Sequence, residues 1–223
     1  YNLQGGTISA ILAGTGGLNK TTGSSVTLSG ANTYTGNNTV TGGGNLYVSG
    51  SGTLGDSANS LTISGSSTVD LGTTTQIQNG GVTLTSGTIS GGTLSSSAAF
   101  NVANGSISSI LAGTGGLNKT TGSSVTLSGA NTYSGNNTVN GGGYLYVSGN
   151  GTLGAATNSL TVDGGSIVDL SSANATQTLN GGLTLTNGTI QGGTISSSGV
   201  FGVQSGTITS VLTGTGSLNK TTS

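Results

Sequence analysis

The chain contains no cysteine, histidine, proline, methionine, tryptophan, arginine or glutamate. Without cysteine and histidine there is no disulfide framework, thiol nucleophile, zinc finger or Ser/His/Asp triad. Charge is almost missing too: Lys20, Lys119, Lys220, Asp56, Asp70, Asp163 and Asp169 are all there is, for a net charge of −1. Three lysines and no arginine leave no electrostatic footprint for nucleic acid, whose binding requires many phosphates to be neutralised. No run of 18 apolar residues occurs, so no segment reads as a membrane-spanning helix. No basic segment followed by an apolar one marks a signal peptide. These absences predict a chain that is not an enzyme and holds neither cofactor nor metal.

Glycine is abundant, 46 of 223 residues, about three times its usual share. Together with serine, threonine and asparagine it suggests low complexity, but the apolar residues are ordered in short spaced clusters. Val26-Thr27-Leu28, Leu46-Tyr47-Val48, Leu61-Thr62-Ile63, Val82-Thr83-Leu84 and Phe100-Asn101-Val102 each read in-out-in, as a strand with one buried face does. No window carries helical spacing over ten or more residues. The chain is therefore read as all-β.

Internal repetition sets the architecture. Ile11 to Tyr34 reads ILAGTGGLNKTTGSSVTLSGANTY, and Ile110 to Tyr133 repeats it letter for letter. Copies are predicted at 1–99, 100–200 and 201–223, one continuous rod without linkers, with Lys20, Lys119 and Lys220 as one position seen three times. Asp70 to Asn79 is nine steps and Asp169 to Asn180 eleven, which places a two-residue insertion in that segment. A ladder position cannot absorb it without turning strand faces over, so the segment is predicted to be a surface loop. Apolar differences between copies are like for like (Ile63 and Val162, Val82 and Leu183, Leu94 and Ile195). The radical ones (Asp56 and Ala155, Ser64 and Asp163, Asn45 and Tyr144) fall at turn or outward positions.

Strands of three or four residues at spacings of 8 to 20, with no hairpin of two long strands, point to a β-solenoid rather than a sandwich. The predicted fold is a right-handed parallel β-helix of about 20 residues per coil, with four to five coils per copy, ten or eleven rungs, and a length of about 50 Å. The absence of proline suits it, because proline cannot donate to a ladder. Such repeats need several neighbours and a cap. The chain starts and stops inside a repeat, so the reading expects a window of a longer array, or ends closed by identical chains.

Gly14 to Val40, followed by Asn45-Leu46-Tyr47-Val48-Ser49-Gly50, resembles the autotransporter-associated β-strand repeat of Gram-negative passenger domains. The matching positions are Leu18, Lys20, Leu28, Gly30, Asn32, Thr33, Tyr34, Gly36, Leu46 and Val48. They recur at Leu117, Lys119, Leu127, Gly129, Asn131, Thr132, Tyr133, Gly135, Leu145 and Val147. The resemblance covers about a third of each copy. It implies a parallel β-helix exported to the cell surface, outer membrane-anchored or secreted, often within a long adhesin, and it carries no catalytic residues. The expected function is a structural segment of a very long extracellular fibre or stalk. The alternatives are an adhesin passenger that binds glycans or neighbouring cells, and an amyloid-like filament that grows end to end.

Candidate contact residues follow from alternation. Tyr47, Tyr144 and Tyr146 point outward, and Tyr34 and Tyr133 sit at turns, so all five are expected as exposed aromatics that form a ladder over the solenoid's own surface, with lateral packing against another rod or stacking on sugars as the alternatives. Asp70 and Asp169 turn outward as solvated acids. They lie a whole copy apart, too far for the paired carboxylates of a glycosidase, and a weak Ca²⁺ contact at Asp163 and Asp169 is a minor alternative. Lys20, Lys119 and Lys220 read as lone solvated charges at loops that discourage edge pairing.

Overall fold

A computed structural model describes residues 1–221. Strands of two to eight residues follow one another along the whole chain, and no helix occurs among the described residues. Every strand pairing is parallel and joins strands one coil apart. One wall of the solenoid is a 12-stranded sheet running from Asn2–Leu3 to Leu218–Lys220. A second, 11-stranded wall runs from Gly6–Ile8 to Thr207–Ile208. Both sheets pass without a break through all three copies.

The register measures the coils. On the first wall Asn19, Thr39, Thr62, Thr83, Asn101 and Asn118 are successive partners, 20, 23, 21, 18 and 17 residues apart. A copy is thus five coils. Its second occurrence repeats the steps except that Thr161 to Thr184 is 23 residues where Thr62 to Thr83 is 21. The two extra residues are therefore in the predicted coil and on its surface. They do not all form a loop, however. Ser171 to Ala173 prolong the strand Ser166–Ala173, because the preceding coil's Ser148 and Gly149 still offer backbone partners there. The register slips between Tyr146 and Ser148, as a bulge, to admit them.

Alternation explains the core. In Val26–Leu28, Leu61–Ile63, Val82–Leu84 and Val125–Leu127 the outer two residues are buried and the central threonine faces out. Stacked coil on coil, these residues form columns, aliphatic in most coils, that run on from copy to copy. Glycine is needed where one coil's corner touches the next. A Cβ on Gly129 would overlap the Ser109 carbonyl oxygen. Gly141, at φ 85°, combines a left-handed backbone with the same kind of contact against Thr120.

The third wall is only partly sheet. Thr75–Ile77, Thr93–Ser95 and Ile110–Ala112 form one three-stranded patch, and Gln177–Thr178, Thr194–Ser196 and Val211–Thr213 another. Between them, buried amides bridge coils in place of a ladder. Asn131 accepts from the Leu111 amide at 2.9 Å and donates to the Thr152 carbonyl at 2.8 Å. Gln177 accepts from the Leu153 amide at 2.9 Å and donates to Gly151 at 3.1 Å. Asn32 and Gln76 do the same one copy earlier. Without such partners the coil's backbone groups would be buried unsatisfied.

Two expectations about side-chain direction are corrected here. Tyr34 and Tyr133 are not surface aromatics at turns but fully buried core residues. Each turns into the interior, where its hydroxyl donates to the Oδ1 of Asn38 or Asn137, the latter at 2.6 Å. Tyr133 packs against Phe100 with ring centroids 5.8 Å apart, and Tyr34 against Tyr1 at 5.7 Å. Lys20 and Lys119 are not solvated charges at loops either. Both are fully buried strand residues in the inner column of the first wall, Lys119 between Val102 and Val139. Lys220, the third copy of that position, is exposed in the last described coil.

Candidate functional site

Because the interior is filled, chemistry available to a partner lies on the outer faces. The outward row of the second wall is the richest in polar and aromatic groups. In the first copy it reads Thr27, Tyr47, Asp70 and Ser90 on successive coils, and in the second Thr126, Tyr146, Asp169 and Gln191. The structure thus brings Tyr47 beside Asp70 and Tyr146 beside Asp169, all at least partly exposed as alternation requires. Asp163 also reaches the surface, where its Oδ1 accepts from the Gly164 amide at 2.7 Å.

The two rows differ in how they are built. Tyr47 is 36% exposed and its hydroxyl accepts from the Asn45 side-chain amide at 2.7 Å. Tyr144 stands where Asn45 does and stacks on Tyr146, with ring centroids 5.0 Å apart and planes 3° from parallel. One face of the Tyr146 ring is thereby covered and its orientation held. Asp70 accepts from the Gly72 amide at 2.8 Å. Asp169 accepts from the Ser171 amide at Oδ1 and from the Gln191 side chain at Oδ2, both at 2.8 Å. Partial burial by itself pushes the Asp169 carboxyl up, but hydrogen bonds from Ser171 and Gln191 to the charged form outweigh it and hold it below the usual carboxylate range.

Beside Tyr146 and Asp169 the bulge opens a cleft of about 250 Å³, lined by Thr126, Tyr146, Val147, Ser148, Asp169 and Ser172. A smaller hollow of about 170 Å³ lies on the third wall of the first copy, at Thr53, Gly55, Ser57, Thr75, Gln76 and Ile77. The larger hollow around Val203, Leu212 and Leu218, about 350 Å³, is the interior of the last described coil seen from its open end. Alternation along the strands singled out Tyr144, Tyr146 and Asp169, while Thr126, Ser148, Ser172 and Gln191 were missed. The signal for them was the two-residue insertion, which marks the coil where the second copy's surface is rebuilt.

Inside the rod the buried lysines meet only neutral acceptors in their hydrogen bonds. The Lys119 Nζ donates to the Thr121 and Gly142 carbonyls at 2.6 and 2.8 Å, and the Lys20 Nζ to Thr22 at 2.7 Å. Burial pushes both ammonium groups below their ordinary pKa, and it pushes the Tyr34 and Tyr133 hydroxyls above theirs. These groups are sealed from any substrate and serve the fold. Among the described residues no group of three or more acidic side chains is arranged to hold a metal ion. No protein-family model, curated protein or solved structure matches the chain.

Proposed function

We propose that this chain is a structural segment of a long extracellular β-solenoid fibre, a spacer that sets distance and covers the rod's own core, and that it performs no catalysis. The observation that carries this reading is the unbroken pair of sheets. Each copy hands its ladder to the next with the same five-coil step, so length can grow by adding copies without designing a new interface. The outer face favours the same role. It is covered by threonine, serine, asparagine and glycine with few charges, which offers little for a protease to recognise. The resemblance to the autotransporter-associated repeat supports export and surface display.

Two measurements test the proposal. Chains carrying two, four and six copies, compared by small-angle scattering, should lengthen by about 24 Å per copy at constant cross-section. An increase in cross-section instead of length would mean that copies fold back on one another, and the spacer reading would be lost. Antibody labelling and protease shaving of intact source cells should reach the segment from outside. Labelling only after lysis would refute the extracellular placement.

A further inference from the structure

Three of the second copy's departures from the first converge on one patch of the outer face. Tyr144 replaces Asn45, Gln191 replaces Ser90, and the insertion produces the bulge at Ser171 and Ser172. Each does something the first copy's row does not. Tyr144 fixes the Tyr146 ring by stacking on it. Gln191 ties down the outer oxygen of Asp169. The bulge sets two residues, Leu170 and Ser171, between Asp169 and Ser172 where the facing strand has only Val147 between Tyr146 and Ser148, and the cleft lies beside it.

We propose that this cleft is a carbohydrate subsite that takes one pyranose ring on the face of Tyr146 turned away from Tyr144. The cleft is lined by Tyr146 and not by Tyr144, so it lies on the open side of the stacked pair. A pyranose presents a face of C–H groups, which an aromatic ring covers, and a rim of hydroxyls, which need acceptors and donors at its edge. The lining supplies both. Each Asp169 oxygen uses one lone pair on a protein amide and keeps capacity for a sugar hydroxyl, while Thr126, Ser148 and Ser172 contribute hydroxyls that donate or accept. At about 250 Å³ the cleft is below the usual size of a drug-like pocket and matches a single ring. The rigid Tyr pair lowers the ordering cost of binding. A cation over the ring is the competing occupant, because a carboxylate stands beside it. The three hydroxyl side chains, which a quaternary ammonium cannot use, favour the sugar. This subsite is independent of the spacer reading and would make one copy of a spacer a point of contact.

The test is a nuclear magnetic resonance titration of the 223-residue chain with the methyl pyranosides of glucose, galactose, mannose and N-acetylglucosamine, and with tetramethylammonium as the rival probe. At least one sugar should give saturable shifts centred on Thr126, Tyr146, Ser148, Asp169 and Ser172. Tyr146→Ala and Asp169→Asn should each weaken it by about tenfold or more, whereas Tyr47→Ala should leave it unchanged. All three positions face outward, and undisturbed resonances of the core beneath the mutated coil, Leu127, Leu145 and Val168 in the second copy or Leu28, Leu46 and Val69 in the first, show that each variant is folded there. Shifts that persist in Tyr146→Ala, no saturable shift with any of the four sugars, or saturation by tetramethylammonium alone would each overturn the assignment.

Discussion

Replacing Tyr133 by phenylalanine removes one oxygen from the interior and nothing from the surface, so it isolates the buried polar network. The lost hydroxyl is the donor, at 2.6 Å, to the Asn137 Oδ1, and both residues are almost wholly shielded from water. Leaving that oxygen unpaired costs about 1–3 kcal/mol. At about 2 kcal/mol the thermal midpoint of a chain this size falls by about 4–8 °C. The double variant Tyr133→Phe/Asn137→Leu should recover part of the loss, for a reason visible in the bonding. The carbonyls that Asn137 serves keep other donors, because Leu153 also accepts from the Asn158 side chain and Ser159 also accepts from the Asn137 backbone amide. A leucine at 137 would stand in the inner column between Leu117 and Leu160. Solenoids need not unfold in one step, so thermal melts should be read together with hydrogen exchange at the amides of Asn137–Val139. A single variant within about 0.5 kcal/mol of the parent, or a double variant less stable than either single, would refute the idea that satisfaction of Asn137 holds this coil.

Other consequences follow from corners and from buried titrating groups. Gly129→Ala should lower stability by at least about 1–3 kcal/mol in thermal denaturation, since its Cβ meets the Ser109 carbonyl. Gly122→Ala, whose nearest neighbour would be the Gly141 oxygen at 3.5 Å, should stay within about 0.5 kcal/mol of the parent. Lys119 titrates below its ordinary 10.5 in the fold, so as pH rises from that lowered value towards 10.5 the native state loses its proton before the unfolded chain does and stability rises. Lys119→Met should reduce that rise in denaturation midpoints measured across alkaline pH. Above an ordinary tyrosine pKa of 10.0 the sign reverses, because Tyr133 keeps its proton in the fold while the unfolded chain ionises. Stability should then fall, and Tyr133→Phe should flatten the decline.

Much of the rod could be read from residues alone. The period-two triads such as Val26-Thr27-Leu28 name their own buried faces, the identical 24-residue blocks name the copy, and the step from Asp169 to Asn180 names the coil that grew. Alternation from the buried Leu18 points Lys20 inward, a signal that reading it as a loop charge left unused, yet burying an ammonium is costly and conflicts with that direction. The structure resolves that conflict by giving the Nζ a backbone carbonyl to bond inside an otherwise aliphatic column. Tyr34 and Tyr133 carried no alternation signal, because they lie in corners outside any strand.

What local sequence determined, then, was which residues of each strand share a face. That follows from the pleat and needs no neighbour. The direction of a corner side chain, the partner of a buried amide and the meeting of Tyr146, Asp169 and Ser172 at one cleft were decided only by stacking. Most of those contacts join residues on neighbouring coils, such as Tyr146 and Asp169, and where they fall depends on the length of every intervening coil.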